Sequence, residues 1–423
     1  MTLRYSKERQ DDFVFTLLTL LAGSMLVFAF VASPPADIFE GLIHIIIHRD
    51  GLITDYIQVA SMGGAFFNGG LVMLMAICLL RMLKVPFTGM SVACCFLMGG
   101  FALFGKNPIN TLPILVGAFL YAKYQRQPYA RFVYVALFGT TLSPVVTEMG
   151  LICQDWPGPI RLVFPILIGV GIGFVLPSIS AFTVRVHQGY NLYNVGFAAG
   201  FVGVVLVSIL RSFGNTFEIH TLWSSGNNLI LSIYLYMICA AMILLGFFLN
   251  GRSFQGIVHL TRHSGRSIAD FIVMDGLPVT LINMGIVGAF AVTYVLAVGG
   301  DLNGPTIGGV MTIMGFGAFG KHMRNIIWIV LGVVISSYCM VWNLNDPSVL
   351  LAALFSTGLA PIAGQFGPIW GIVAGIVHSS VVLNVGTLYG GLNLYNNGFA
   401  AGLVCIVLLP LIQGLKRGGD RDA

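Results

Sequence analysis

The chain has 423 residues, of which 57% are hydrophobic and only 9% charged. A soluble domain needs about 25% charged residues to face water, so a soluble enzyme is excluded. The net charge of +5 is scattered and forms no basic stripe, which excludes a nucleic-acid binder.

Read in chain order, Arg4, Lys7 and Arg9 precede an apolar run over 13–33. Asp11 and Asp12 interrupt that basic region, and the run is long enough to span a bilayer, so it is predicted as a retained first helix. Further apolar segments follow at 56–80, 87–104, 109–123, 132–150, 160–182 and 191–210, then at 228–249, 277–298, 305–319, 325–343, 348–366, 368–386 and 391–413. Backbone at membrane depth must satisfy itself, so the expected fold is an all-α polytopic membrane protein of about fourteen transmembrane or re-entrant helices. Alternating sides from the N-terminus puts Arg81, Lys84, Lys123, Arg126, Arg131, Arg185, Arg252, Arg262, Arg266, Lys321, Arg324, Lys416 and Arg417 on one side. Arg49, Lys106, Arg161 and Arg211 fall on the other. The positive-inside rule then predicts two cytoplasmic termini in a bacterial cytoplasmic membrane. The seven cysteines form no disulfide or zinc pattern.

A duplication is written into the chain. NLYNVGFAAGFV (191–202) and NLYNNGFAAGLV (393–404) agree at ten of twelve positions. ALFGTTLSPVVTEMG (136–150) aligns without a gap on ALFSTGLAPIAGQFG (353–367). GFALFGK (100–106) matches GFGAFGK (315–321), and FEGLIHIIIH (39–48) matches FQGIVHLTRH (254–263), both at a shift of 215. Two repeats are therefore expected, 1–215 and 216–423, each with seven crossings. An odd number inverts the second repeat, the signature of many secondary transporters, whose sites lie where the repeats meet.

Candidate site residues follow from what is expensive in lipid. Four helices carry Asn-x-Gly, at Asn68, Asn194, Asn283 and Asn396. With Asn191, Asn393, Tyr193 and Tyr395 they are predicted either to line a polar-solute path or to bond neighbouring helices. Glu148 stands where the second repeat has Gln365, as a proton- or sodium-coupling carboxylate would; the alternative is a glutamate at a helix end near the outer headgroups. Pro144 and Pro361 would free carbonyls nearby for an ion or solute. His44-x3-His48 and His259-x3-His263 place two rings on one helical face, for gating or for a metal, of which gating is the stronger expectation. Lys106 and Lys321 would recruit an anion or snorkel to the interface, snorkelling being the stronger expectation. Asp55 and Asp270 are expected at helix N-termini.

No Walker A, GxSxG or HExxH motif is present. Neither an ATP-driven pump nor an enzyme is expected, and no cofactor beyond a coupling proton or sodium ion. The repeated NLYNxGFAAG and FGK segments resemble an uncharacterised domain-of-unknown-function family of bacterial polytopic membrane proteins, a resemblance that implies no activity. FNGGLVML, with Phe67, Asn68 and Gly69, and LYNNGFAAG (394–402) are more weakly similar to the urea-channel family. The expectation is a transporter of a small polar solute. A passive channel for a neutral solute such as urea and a metal-dependent membrane protein are the alternatives. The expected partners are the bilayer and the solute; a homo-oligomer is left open.

Overall fold

The computed structural model describes residues 7–217 and 219–419. Arg4 lies outside these residues, as do the side chains of Lys7, Lys416 and Arg417. The first half runs α1 (Lys7–Ala32), α2 (Pro35–Ile47), β1 (Ile53–Thr54), α3 (Tyr56–Val59), α4 (Met62–Met82), α5 (Gly89–Phe101), α6 (Pro108–Tyr124), α7 (Val133–Gly139), α8 (Ser143–Ile152), α9 (Gly158–Val186) and α10 (Asn194–Ser212). The second runs β2 (Thr221–Leu222), α11 (Asn228–Leu249), α12 (Ile257–Leu260), α13 (Phe271–Met274), α14 (Leu277–Ala297), α15 (Gly304–Phe316), α16 (Met323–Cys339), α17 (Pro347–Ser356), α18 (Ala360–Phe366), α19 (Pro368–Val385) and α20 (Asn396–Gly419). Ten helices therefore recur in the same order. The single sheet is the parallel pair β1–β2.

Ten segments among the described residues are long and apolar enough to cross a membrane. These apolar helices make the chain an integral membrane protein. The short pair α5 and α15, with 13 residues each, occupies the centre. They pack antiparallel: a Cβ on Gly89 would lie 2.1 Å from the Ala318 carbonyl oxygen, and one on Gly304 would lie 2.3 Å from that of Leu103. Only glycine permits such an approach. Each N-terminus is capped across the halves. Asp55 accepts from Gly304 N (3.0 Å) and Asp270 from Gly89 N (3.0 Å), while each also caps its own short helix through Ile57 N or Val273 N.

Helices α10 and α20 also cross antiparallel, with Gly196 against Gly398 and Tyr395, Gly200 against Phe399, and Gly402 against Phe197. Between α7 and α8, and again between α17 and α18, a 3-10 turn (Thr140–Leu142, Thr357–Leu359) interrupts the helix just before Pro144 and Pro361. The carbonyls released there are used by the opposite half. Thr141 O accepts from Leu394 N (3.1 Å) and Gly358 O from Leu192 N (3.0 Å). An ion or solute was the expected partner, but backbone takes that place.

The connections define two ends of the bundle. One holds the start of α1, where Asp12 pairs with Arg81, together with residues 187–190 and 264–270. The other holds residues 48–55, the β1–β2 pair and the α14–α15 turn. Helix α2 lies at this second end with Phe39, Ile43, Ile46 and Ile47 exposed and Ile38 and Ile45 buried, an amphipathic interfacial pattern.

Candidate solute site at the junction of the halves

Lys106 and Lys321 are both fully buried. Snorkelling is thereby overturned: α5 and α15 end early, and the following turn folds each lysine back beside the helix it left. Asn68 and Asn283 hold these turns. Asn68 Nδ2 donates to the carbonyls of Ala102 (2.6 Å) and Lys106 (2.7 Å), and Asn283 Nδ2 donates to those of Gly317 (2.7 Å) and Lys321 (2.8 Å). Their amides bind backbone, which fits the interhelical role considered for them.

Between the two ammonium groups runs a stack of rings. Lys321 Nζ lies 4.7 Å from the Tyr193 ring, Tyr193 5.4 Å from Tyr395, Tyr395 4.7 Å from Phe101, and Phe101 5.1 Å from Lys106 Nζ. Each cation therefore faces a negative ring surface, a favourable contact that is stronger when desolvated. The ends differ. Lys321 Nζ donates to Tyr193 Oη and to Thr357 Oγ1 (2.7 Å), whereas Lys106 Nζ has only the Met98 thioether at 3.8 Å. Tyr395 Oη, buried, has no partner among the described residues.

The remaining amides anchor the helices around this stack. Asn191 Nδ2 donates to Gly398 O (2.9 Å), and Asn393 Oδ1 accepts from Thr141 Oγ1 (3.0 Å). Asn194 bonds Ser180 and Thr183 on α9; Asn396 bonds Val382 O and Tyr389 Oη.

A cavity of about 190 Å³ descends from the end that carries the α1 start to Tyr193 and Tyr395. Ser267, Ile268, Tyr134, Ser180, Val184 and Asn194 line its wall, and Phe138 and Phe316 its depth. A second crevice of about 100 Å³ sits at the opposite end. Its lining residues Leu52, Ile53, Leu351, Val382, Gly386 and Asn396 occupy the repeat-equivalent positions, one for one, but neither tyrosine lines it. The β2 residue Thr221 covers it, beside Ile219. One architecture is thus present twice, deep on one side and shallow on the other.

Glu148 lies away from the cavity. It is buried and paired with Arg49 Nη2 at 2.9 Å, in a small pocket shared with Asp50 and His220. Asp50 is also buried, and its carboxylate accepts from Tyr56 Oη (2.7 Å), Thr147 Oγ1 (2.8 Å) and Asn110 Nδ2 (3.0 Å). Burial pushes its pKa up to about 7, opposed by those three hydrogen bonds and reinforced by Glu148. The second half has removed most of the group: Ser264, Gly265, Phe271, Gly364 and Gln365 replace Arg49, Asp50, Tyr56, Thr147 and Glu148, while Asn325 keeps the place of Asn110. Gln365 is exposed and lines no part of the deep cavity.

The histidine pairs also diverge. His44 lies 4.0 Å from exposed Glu40, and His48 turns to the Arg49 carbonyl at 2.7 Å. His259 and His263 instead converge on Asp275, at 2.7 and 3.0 Å.

A family model described as Protein of unknown function (DUF1576) matches residues 34–212 and again 249–414. The chain belongs to this family. No curated protein and no solved structure matches. Both matched stretches of this DUF1576 member include the turns with Lys106 and Lys321 and the tyrosines of the stack. Sequence reasoning missed Asp50, Asp275, and the pair Thr140 and Thr357. The threonines were visible inside the matched ALFGTTLSP and ALFSTGLAP segments. The two aspartates gave no repeat signal, because Gly265 and Ala60 stand opposite them.

Proposed function

We propose that the protein is a secondary carrier built from two inverted seven-crossing repeats, with a small polar solute bound at the Tyr193–Tyr395 pair. The observation that carries this reading is the equivalent pair of crevices, of which only one reaches the centre. A carrier must open its site to one side at a time, and repeats that exchange conformations do this. The structure then corresponds to the state open toward the α1 start. The bias of Arg81, Lys84, Arg126, Arg185, Arg262 and Arg266 toward that end supports a cytoplasmic assignment for it. Two buried lysine amines without a carboxylate partner among the described residues favour a small anion as solute, whose own charge would favour their protonation. It would be recognised by Lys321 and Tyr193 and, in the opposite state, by Lys106 and Tyr395. The Asp50–Glu148–Arg49 group is the site of proton coupling.

Cysteines introduced singly as Ile268→Cys and Ile53→Cys, with the native cysteines replaced, test the reading in proteoliposomes. An impermeant maleimide should react fast at 268 from one side and slowly at 53 from the other. Cross-linking the 268 crevice shut should accelerate reaction at 53. Simultaneous labelling of both without reciprocity refutes alternating access and favours the passive channel. Thermal shifts with small carboxylates, inorganic anions and urea then separate solute classes, and loss of an anion-induced shift in Lys321→Met is expected.

A further inference from the structure

We infer that His259, His263 and Asp275 form a binding site for a divalent transition-metal ion, flanking the segment that carries Ser267 and Ile268 at the rim of the deep crevice. The three side chains offer two imidazole nitrogens and a carboxylate whose ligand atoms all lie within 4.8 Å of one another. His259 Nδ1 is 2.7 Å from Asp275 Oδ1, and His263 Nε2 is 3.0 Å from Oδ2. A tetrahedral zinc ion with bonds of about 2.1 Å spaces its ligands by roughly 3.4 Å. Seating one therefore needs His259 and Asp275 to part by about 0.7 Å and His263 and Asp275 by about 0.4 Å, while the widest pair closes by up to about 1.4 Å.

The supports are already in place. The His263 ring stacks on Phe271 (5.8 Å, 25°), and its carbonyl accepts from His322 Nε2 at 2.9 Å. Asp275 precedes Gly276, whose φ of +87° turns the chain into α14. The Asp275 side chain is only 3% exposed, and its recorded partners are these two imidazoles, with no lysine or arginine among them. The His259 side chain is 67% exposed, which leaves water access to a fourth ligand position. The first half makes the contrast: His44 and His48 keep the spacing, but Ala60 stands where Asp275 would be. Helix α12 ends at Leu260, so the expected shared helical face is not what pairs these rings; a carboxylate added on one side only converts a repeated His-x3-His spacing into a ligand set.

The site lies on the segment that also carries Ser267 and Ile268 at the crevice rim. A bound ion ties that segment to the start of α14 and braces the open mouth, a consequence that rests on the carrier reading; the metal site itself does not.

The test uses the full chain in detergent, stripped with chelator. Co²⁺ should bind with one ion per chain, give d–d absorption bands, and be displaced by Zn²⁺. Asp275→Asn and His263→Gln should weaken binding at least tenfold, while His44→Gln leaves it unchanged. His259→Gln, at an exposed position, keeps the test interpretable if a buried substitution fails to fold. Hydrogen exchange over 257–275 should slow with Zn²⁺. Absence of a Co²⁺ spectrum at millimolar metal, or binding indifferent to Asp275→Asn, overturns the site and leaves a hydrogen-bonded clamp. Neither result bears on the labelling test of the crevices.

Discussion

Asp50 offers the sharpest test because its chemistry can be worked from its surroundings. Its folded pKa of about 7 lies above the ordinary 3.8, so the folded protein holds a proton that the unfolded chain has released. Stability is then fully present below about pH 4 and falls as pH rises toward 7, levelling above it. At 1.36 kcal/mol per unit, the full interval is worth about 4 kcal/mol, and the part between pH 5 and 7 about 2 kcal/mol. With an unfolding entropy near 2.1 cal/mol/K per residue, that is roughly a 2–3 °C fall in Tm for a chain this long.

The perturbation is Asp50→Asn. An amide cannot ionise, so this pH-dependent loss disappears. It also replaces one acceptor oxygen with an N–H donor among the donors of Tyr56, Asn110 and Thr147, which should lower Tm by a constant amount at every pH. The assay is thermal unfolding in detergent from pH 5 to 8, reporting the difference between the two proteins. Arg49, Glu148 and His220 face the same pocket in both proteins, so the difference reports position 50 together with its coupling to Glu148. A difference independent of pH, or a wild type that gains on the variant as pH rises, refutes the reasoning.

Tyr193→Phe, which takes an acceptor from the buried Lys321, should destabilise by about 1–3 kcal/mol; Tyr395→Phe, whose hydroxyl has no recorded partner, should be near neutral in the same unfolding measurement. Gly89→Ala and Gly304→Ala should each lose more than about 2 kcal/mol, because the new methyl meets a carbonyl oxygen at 2.1 or 2.3 Å. Gly23→Ala meets nothing within 4 Å and should be neutral or stabilising. Arg126→Cys and Val341→Cys, at repeat-equivalent exposed positions, should react with impermeant maleimide from opposite sides of the membrane. Reaction from the same side would remove the inverted repeat.

The helical segments and the pairing of the halves were legible because lipid exposure and duplication both leave patterns in one dimension. The segment 87–104 was read slightly long, since an apolar run does not mark where α5 ends and the chain turns back. That turn is what buries Lys106, and the misreading of the lysine follows from the misread end. The asparagines were read correctly as expensive, but an amide holding a carbonyl and an amide facing a solute look alike in sequence. Only contact geometry separates Asn68, bound to two carbonyls, from Asn194 at the cavity wall. Asp50 and Asp275 were illegible for the opposite reason: repetition was the signal followed, and these residues exist where it fails.

That failure of symmetry has an energetic meaning. In two identical halves, the conformers with either crevice open would be related by the two-fold and equal in free energy. A 99:1 preference needs only about 2.7 kcal/mol, half the swing between opposite extremes. On the proposed carrier reading, the asymmetric groups are the candidates to supply it. Arg49, Asp50 and Glu148 line a pocket that shares Leu52 and Ile219 with the shallow crevice, where the proposed carrier would be closed. Asp275 follows the segment that carries Ser267 and Ile268 at the rim of the deep one. If the protein is the proposed carrier, a brace that loosens as Asp50 ionises would let a proton leaving one face favour opening there. On that reading, scaffold residues such as Gly89 and Gly304, or Asn68 and Asn283, recur because both conformers would need them, and the residues that would choose between conformers are the ones that do not recur.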